Sequence, residues 1–414
     1  MFTRFLAALT PLLAFSLPSL SAATTLDPMV ALFHKWQMKD AAMVVDKAAA
    51  QGHRHVQFCI ALQARLDPDH RVKAIGLYRE SREPGNGGNA FYPSDPAITR
   101  ELKSYYAACF AKAVEKKLAI SVLIHLNAHG EIQEWRNHFD FDPLQALSGS
   151  TYEQSVLLPI VESLESTAPA DWPVELSLQG EMGTTVFKHP DSWRTLIERL
   201  RSRGKLTKAR FGLSFNYQGV AGSANPAETD PASLKKLWDA CDFIGVSMYQ
   251  RVSMPPRTED FDLAVGLFAG EFQGIGCPLP SAKPLHFVEV GLGGGGLSET
   301  DWKSRIPAST AADAARAPYL GSPKSSEADP WTDPSLKSLR AGYHRALCQY
   351  LADTRQRHPV QRAFLWSFGS WDPQGLGDAR FADTDIIRSI SEHNRKVPKD
   401  RLEAASRSHE NPKP

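Results

Sequence analysis

The chain has 414 residues, of which 42% are hydrophobic, and 47 Lys and Arg stand against 46 Asp and Glu for a net charge of +1. That length suits one large α/β barrel with insertions or two ordinary domains, and the apolar share supports a full-sized core. The balanced charge gives no electrostatic footprint for nucleic acid and leaves charge-poor partners open.

The N-terminus reads as a secretory signal peptide over residues 1–23: Arg4 supplies the positive charge, Phe5 to Leu17 the apolar core, and Ser21-Ala22-Ala23 the small residues of a cleavage site. An uncleaved anchor is the alternative, although the apolar run is short for a span. No later segment is long and apolar enough to cross a bilayer. An exported chain, periplasmic or secreted, is therefore expected, acting as a monomer.

Strand-like and helix-like segments then alternate. The strands are read at Met29–Phe33, His55–Ala61, Ile120–Asn127, Val174–Glu181, Arg210–Asn216, Phe243–Tyr249, His286–Val290 and Ala363–Phe368. They are short, β-branched and aromatic, without strict alternation, which suits buried parallel strands. Between them, Trp193, Leu196, Ile197 and Leu200 fall on one helical face, as do Leu336, Leu339, Tyr343, Leu347 and Tyr350. Asp95-Pro96, Asp230-Pro231 and Asp333-Pro334 place a capping side chain before a first-turn proline, and Gly52 and Gly204 follow helical runs. The pattern predicts a (β/α)8 TIM barrel over residues 24–396. A doubly wound open sheet is the alternative, but Thr24–Trp36 lacks the glycine-rich first loop that such a sheet favours, and no helix pattern directly follows the glycines of 291–296.

Three long stretches, 62–96, 128–150 and 291–334, each follow a predicted strand and are expected as loops on the C-terminal face. Their aromatic residues, Trp302, Tyr319 and Trp331 among them, would wall a ligand cleft, with Trp331 read as substrate-binding. The polar tail 397–414 is expected to be disordered. The five cysteines fit no zinc or CxxC spacing. Cys241 and Cys277 each precede a strand and are a candidate bridge; Cys59, Cys109 and Cys348 read as small buried apolar residues.

Two glutamates stand at strand ends. Glu181 closes VELSLQGEMG, and Glu289 lies in HFVEV ahead of a glycine-rich loop. In a barrel of parallel strands such positions converge on one face. Two converging carboxyl groups are what cleavage of a glycosidic bond needs, one to protonate the leaving oxygen and one to attack the sugar. Tyr249, ending DFIGVSMY, could donate to the nucleophile. Trp366, on the last strand, could stack on a sugar, and Asn127, His129, Asn216 and Tyr217 could bond hydroxyls. Structural readings stand beside each: a cap, a buried ion pair, or core packing. His53 and His55 spell HxH at the wrong end of their strand, and His125 and His129 lack a helix and a following glutamate, so no metal is expected.

In the words QGEMG, DFIGVSMY, VEVGLGG, DPWTDP and AFLWSFGSWDP the chain resembles the clan A retaining glycoside hydrolases, most of all the family 113 mannanases. The resemblance implies Glu181 as acid/base, Glu289 as nucleophile, Tyr249 beside it and Trp366 under the reacting sugar, with no cofactor and a carbohydrate as partner. One departure is plain. Where most clan members have an asparagine that binds the sugar 2-hydroxyl, this chain has Gly180. A barrel that binds glycan without cleaving it is the alternative expectation.

Overall fold

The computed structural model describes residues 23–79, 90–280, 283–296, 307–324, 327–356 and 358–398. The signal-peptide core, Trp302 and most of the polar tail lie outside the described residues.

Short, wholly buried runs make the strands. In VELSLQG and LHFVEV every residue is buried, as a sheet covered on both faces requires. Eight strands close on themselves: β1 (Leu26–Leu32), β2 (His55–Leu66), β3 (Ala119–Ala128), β4 (Val174–Gly180), β5 (Ala209–Asn216), β6 (Phe243–Met248), β7 (Leu285–Val290) and β8 (Val360–Leu365). Each pairs in parallel with the next, and β8 returns to β1 in the register Leu26↔Ala363. Helices α1 (Lys35–Ala50), α2 (Pro96–Glu115), α3 (Leu158–Thr167), α4 (Pro190–Ser202), α5 (Pro231–Ala240), α6 (Thr258–Gly274), α7 (Pro334–Ala352) and α8 (Thr384–Lys396) alternate with them. The molecule is a (β/α)8 TIM barrel.

Local chemistry sets the helix starts. Asp95 accepts from the Ala97 and Ile98 amides, Asp230 from Ala232, and Asp333 from Ser335 and Leu336, each with proline in the first turn. The expected faces of α4 and α7 are the buried ones. No described helix is long and apolar enough to cross a membrane.

Two expectations need correction. The stretch 62–96 is not a plain loop: β2 runs on to Leu66 and pairs antiparallel with Val72–Arg79, which pairs in turn with Ala90–Pro93. Val72 and Ala74 are buried and Lys73 is exposed, a two-residue period too short to stand out among turn residues. Cys241 and Cys277 are not bridged; all five cysteines are free and buried. The Cys277 sulfur instead accepts from the Trp238 indole N–H at 2.9 Å.

The barrel interior has two layers. At the N-terminal end Glu175 accepts from Ser121, Arg210 and Arg362, each at 3.1 Å. Burial pushes its carboxyl up, but Arg362, His286 and Arg210 outweigh burial and hold it far below the usual range. His55 lies at this end too, at the start of β2, away from the C-terminal face. Above this charged layer Met29, Cys59, Leu123 and Val288 form an apolar plug, with Phe33, Trp366 and Phe368 packed on it. The candidate site sits on the plug.

Candidate active site

Both strands that carry the key acids are irregular near their C-terminal ends. In β4 the pairing register shifts between Ser177 and Gly180, and Glu181 takes a φ of +58°. That left-handed conformation is uncommon for a residue with a Cβ and tends to occur at functional sites. In β7 the register shifts between Phe287 and Val290. Phe287 and Val290 belong to the main core and Val288 to the interior plug. The irregularity lets Val288 and the next residue, Glu289, both serve the barrel interior, a re-aiming typical of a β-bulge.

Glu289 has polar neighbours on two sides. Its Oε2 accepts from the Tyr249 hydroxyl at 3.0 Å, and its Oε1 lies 2.9 Å from His125 Nε2. The second contact is close but misaligned, and neither of its atoms completes a hydrogen bond. Burial pushes the Glu289 carboxyl up to about 7, with Arg136 and the Tyr249 hydroxyl pulling the other way. Tyr249 is itself driven well above its ordinary value, first by burial and then by the two glutamates, so its hydroxyl stays a donor.

Glu181 meets a cation. Its Oε2 accepts from Arg136 Nη1 at 2.8 Å and from the Trp135 indole N–H at 3.4 Å. Arg136 also donates through Nε to the Leu126 carbonyl at 3.1 Å and through Nη2 to Asn127 Oδ1 at 2.6 Å. The neighbouring Asn137 pins this loop by accepting from the Gly183 amide and donating to the Gly219 carbonyl. The His125 ring links the two acids: it lies against Gly180, next to Glu181, and its Nε2 is 2.9 Å from Glu289, which puts both acids on one chamber. Each is almost closed off, with relative exposures of 5% and 4%.

Sequence reading set His125 aside as half of a metal decoy and passed over Arg136 and Trp135. The imidazole of His125 fills the space over Gly180: a Cβ added there would lie 2.6 Å from its Cδ2 and 2.8 Å from its Nε2. Burial, followed by Arg136, holds His125 well below its ordinary value, so the ring is neutral. Cys59, His125 and Glu289 bring ligand-type atoms within 4.8 Å of one another. They form a poor metal centre, because the ring turns Nδ1 to Cys59 and Nε2 to Glu289 and no single ion replaces both contacts. Burial also holds the Cys59 thiol far above its usual range, in its protonated form.

The other sequence-read residues divide. Trp366 is half-buried at the chamber, 5.7 Å from Phe33 and 6.2 Å from His125 in stacked arrangements. Asn127 joins the site through Arg136. The His129 ring lies against Phe91 at 5.4 Å, beside the β2 extension. The Asn216 side chain turns back to the Gln218 amide, and Tyr217 is half-buried near Tyr319. Trp331 packs rather than lines: its indole N–H donates to the Ser370 carbonyl at 2.7 Å and Arg340 lies 4.4 Å over its ring.

No protein-family model matches the chain, and no curated protein matches it. Solved structures do. A glycoside hydrolase family 113 β-mannanase from Alicyclobacillus acidocaldarius aligns at 15% identity over 90% of this chain and 98% of its own, with a TM-score of 0.51. A family 113 β-1,4-mannanase aligns at 13% identity over 91% and 99%, with a TM-score of 0.49. A family 5 enzyme from Streptomyces cattleya, in complex with GlcNAc, aligns at 14% identity over 95% and 83%, with a TM-score of 0.43. The first of these shares the barrel fold of this chain.

Proposed function

We propose that this chain is an exported retaining β-glycosidase acting on a poly- or oligosaccharide. The observation that carries the reading is the placement of Glu181 and Glu289, from β4 and β7, in one chamber with the Tyr249 hydroxyl on Glu289. In the first step the Glu289 carboxylate attacks the anomeric carbon while Glu181 gives a proton to the departing glycosidic oxygen. Tyr249 supports the step by donating to the attacking carboxylate. In the second step Glu181 takes a proton from water, which displaces Glu289 and releases the sugar with retained configuration. Glu181 Oε2 is occupied by Arg136 and Trp135, which leaves Oε1 as the oxygen that carries the transferred proton. Trp366, half-buried beside His125, offers the stacking face. The fold shared with a β-mannanase makes β-mannan the first substrate to try.

The test is reducing-end release from a panel of β-mannans, β-glucans and acidic β-glycans, with the anomer formed followed by proton NMR. Release of the β-anomer first is expected. An α-anomer first would remove the double-displacement mechanism.

A second reading, a barrel that binds glycan without cleaving it, draws on two observations. Glu181 sits in an ion pair that a proton donor must leave or work around, and Gly180 supplies no side chain to the sugar. Glycan binding without release on the whole panel, unchanged by Glu181→Gln, would establish it.

A further inference from the structure

Among the described residues Arg136 is the one guanidinium that bonds a candidate catalytic acid, and the hydrolase reading gives it no task. Of its five N–H hydrogens, three have protein acceptors: the Leu126 carbonyl, Asn127 and Glu181. The two that remain, one on each terminal nitrogen, have none among the described residues. The side chain is 20% exposed, so these hydrogens are not sealed in. Trp135, next to it and 40% exposed, presents an open ring at the same place.

A planar guanidinium with hydrogens to spare on both terminal nitrogens matches a carboxylate far better than a hydroxyl. Bond cleavage sharpens the mismatch. When Glu181 carries its proton, Arg136 loses its ion-pair partner, and a part-buried charge without a counter-ion is disfavoured. An anionic group on the substrate would restore the pairing at that moment. Two further guanidinium groups follow barrel strands at their C-terminal ends: Arg65, exposed and stacked over Phe91, and Arg251, exposed after β6.

We infer that the substrate is an acidic β-glycan, and that Arg136 binds the carboxylate of a uronic acid next to the scissile bond. The inference deepens the hydrolase reading and rests on it for the identity of the chamber. Arg136 is thus a specificity residue, and substrate binding draws it partly from Glu181 to the sugar.

Calorimetric binding separates this inference from catalysis. The full-length Glu289→Gln protein is titrated with a β-linked oligosaccharide containing glucuronic acid, and with the same oligosaccharide after its carboxyl groups are reduced to alcohols. The acidic form is expected to bind about 10- to 100-fold more tightly, the range of a charge-assisted hydrogen-bonded pair. Adding Arg136→Gln should erase that preference and leave affinity for the reduced form within about threefold, less than 1 kcal/mol. Adding Arg136→Lys should keep only part of it. Equal affinities for the two forms, or a preference that survives Arg136→Gln, would overturn the inference. Turnover by the unmodified protein tests the other reading. Carboxylate-dependent binding without release would retain the Arg136 site and remove the hydrolase, whereas faster release from the reduced form would do the reverse.

Discussion

Replacing Glu289 by alanine is expected to lower turnover roughly ten-thousand- to million-fold, the range seen when a catalytic nucleophile is removed. The effect should lie in the chemical step. Glu289 is the carboxylate that Tyr249 supports, and its oxygens are the ones aimed at the interior by the irregularity in β7. The change leaves the Tyr249 hydroxyl without its acceptor, which costs about 1–3 kcal/mol if nothing replaces it. A melting curve therefore accompanies the assay and separates loss of fold from loss of chemistry. Sodium azide, small enough to enter the vacated space, should restore bond cleavage and yield the α-glycosyl azide, since it attacks from the face that Glu289 leaves. A folded variant that keeps more than about 1% of the activity would exclude Glu289 as nucleophile.

The second large effect concerns pH. The attacking Glu289 must be ionised, and burial pushes its carboxyl up to about 7 against the opposing pull of Arg136 and Tyr249. A raised carboxyl loses its charge as pH falls through that value. The acid limb of kcat/KM should therefore lie near pH 7, and the rate should fall about tenfold per unit below it. Tyr249→Phe removes a donor to the charged form. It should move the limb to higher pH by about one unit or more and cost about 10- to 100-fold at pH 6, with a smaller loss at pH 9. A limb near pH 4.5, or one that Tyr249→Phe leaves in place, would show that another group titrates in the profile.

Much of the barrel was legible because its signals are local. A run such as VELSLQG is buried on both faces, so its composition alone marks a parallel strand. An Asp-Pro pair caps a helix through atoms two or three residues away. The strand-end positions of Glu181 and Glu289 could likewise be read from the sequence. The rest depends on contacts distant in sequence. Arg136 lies in a loop with no periodicity, and only the folded chain shows that it reaches Glu181, 45 positions away. His125 is a mid-strand residue whose partner Glu289 lies on another strand, so spacing rules written for metals misread it. Neither the left-handed backbone at Glu181 nor the register shift in β7 has a composition to betray it. Trp331 stood in an aromatic-rich stretch that suggested a cleft wall; Arg340 and Ser370, which enclose it, arrive from later in the chain.

The close packing around Gly180 ties that position to Leu123 and His125 together. Introducing asparagine at 180 alone drives its first side-chain carbon into the imidazole, and removing the imidazole alone strips Glu289 of its neighbour. A chain bearing an amide at 180 would need other residues at both 123 and 125. The double substitution Gly180→Asn with His125→Ala should therefore not recover function, because Leu123 still crowds the new side chain and Glu289 still lacks its neighbour.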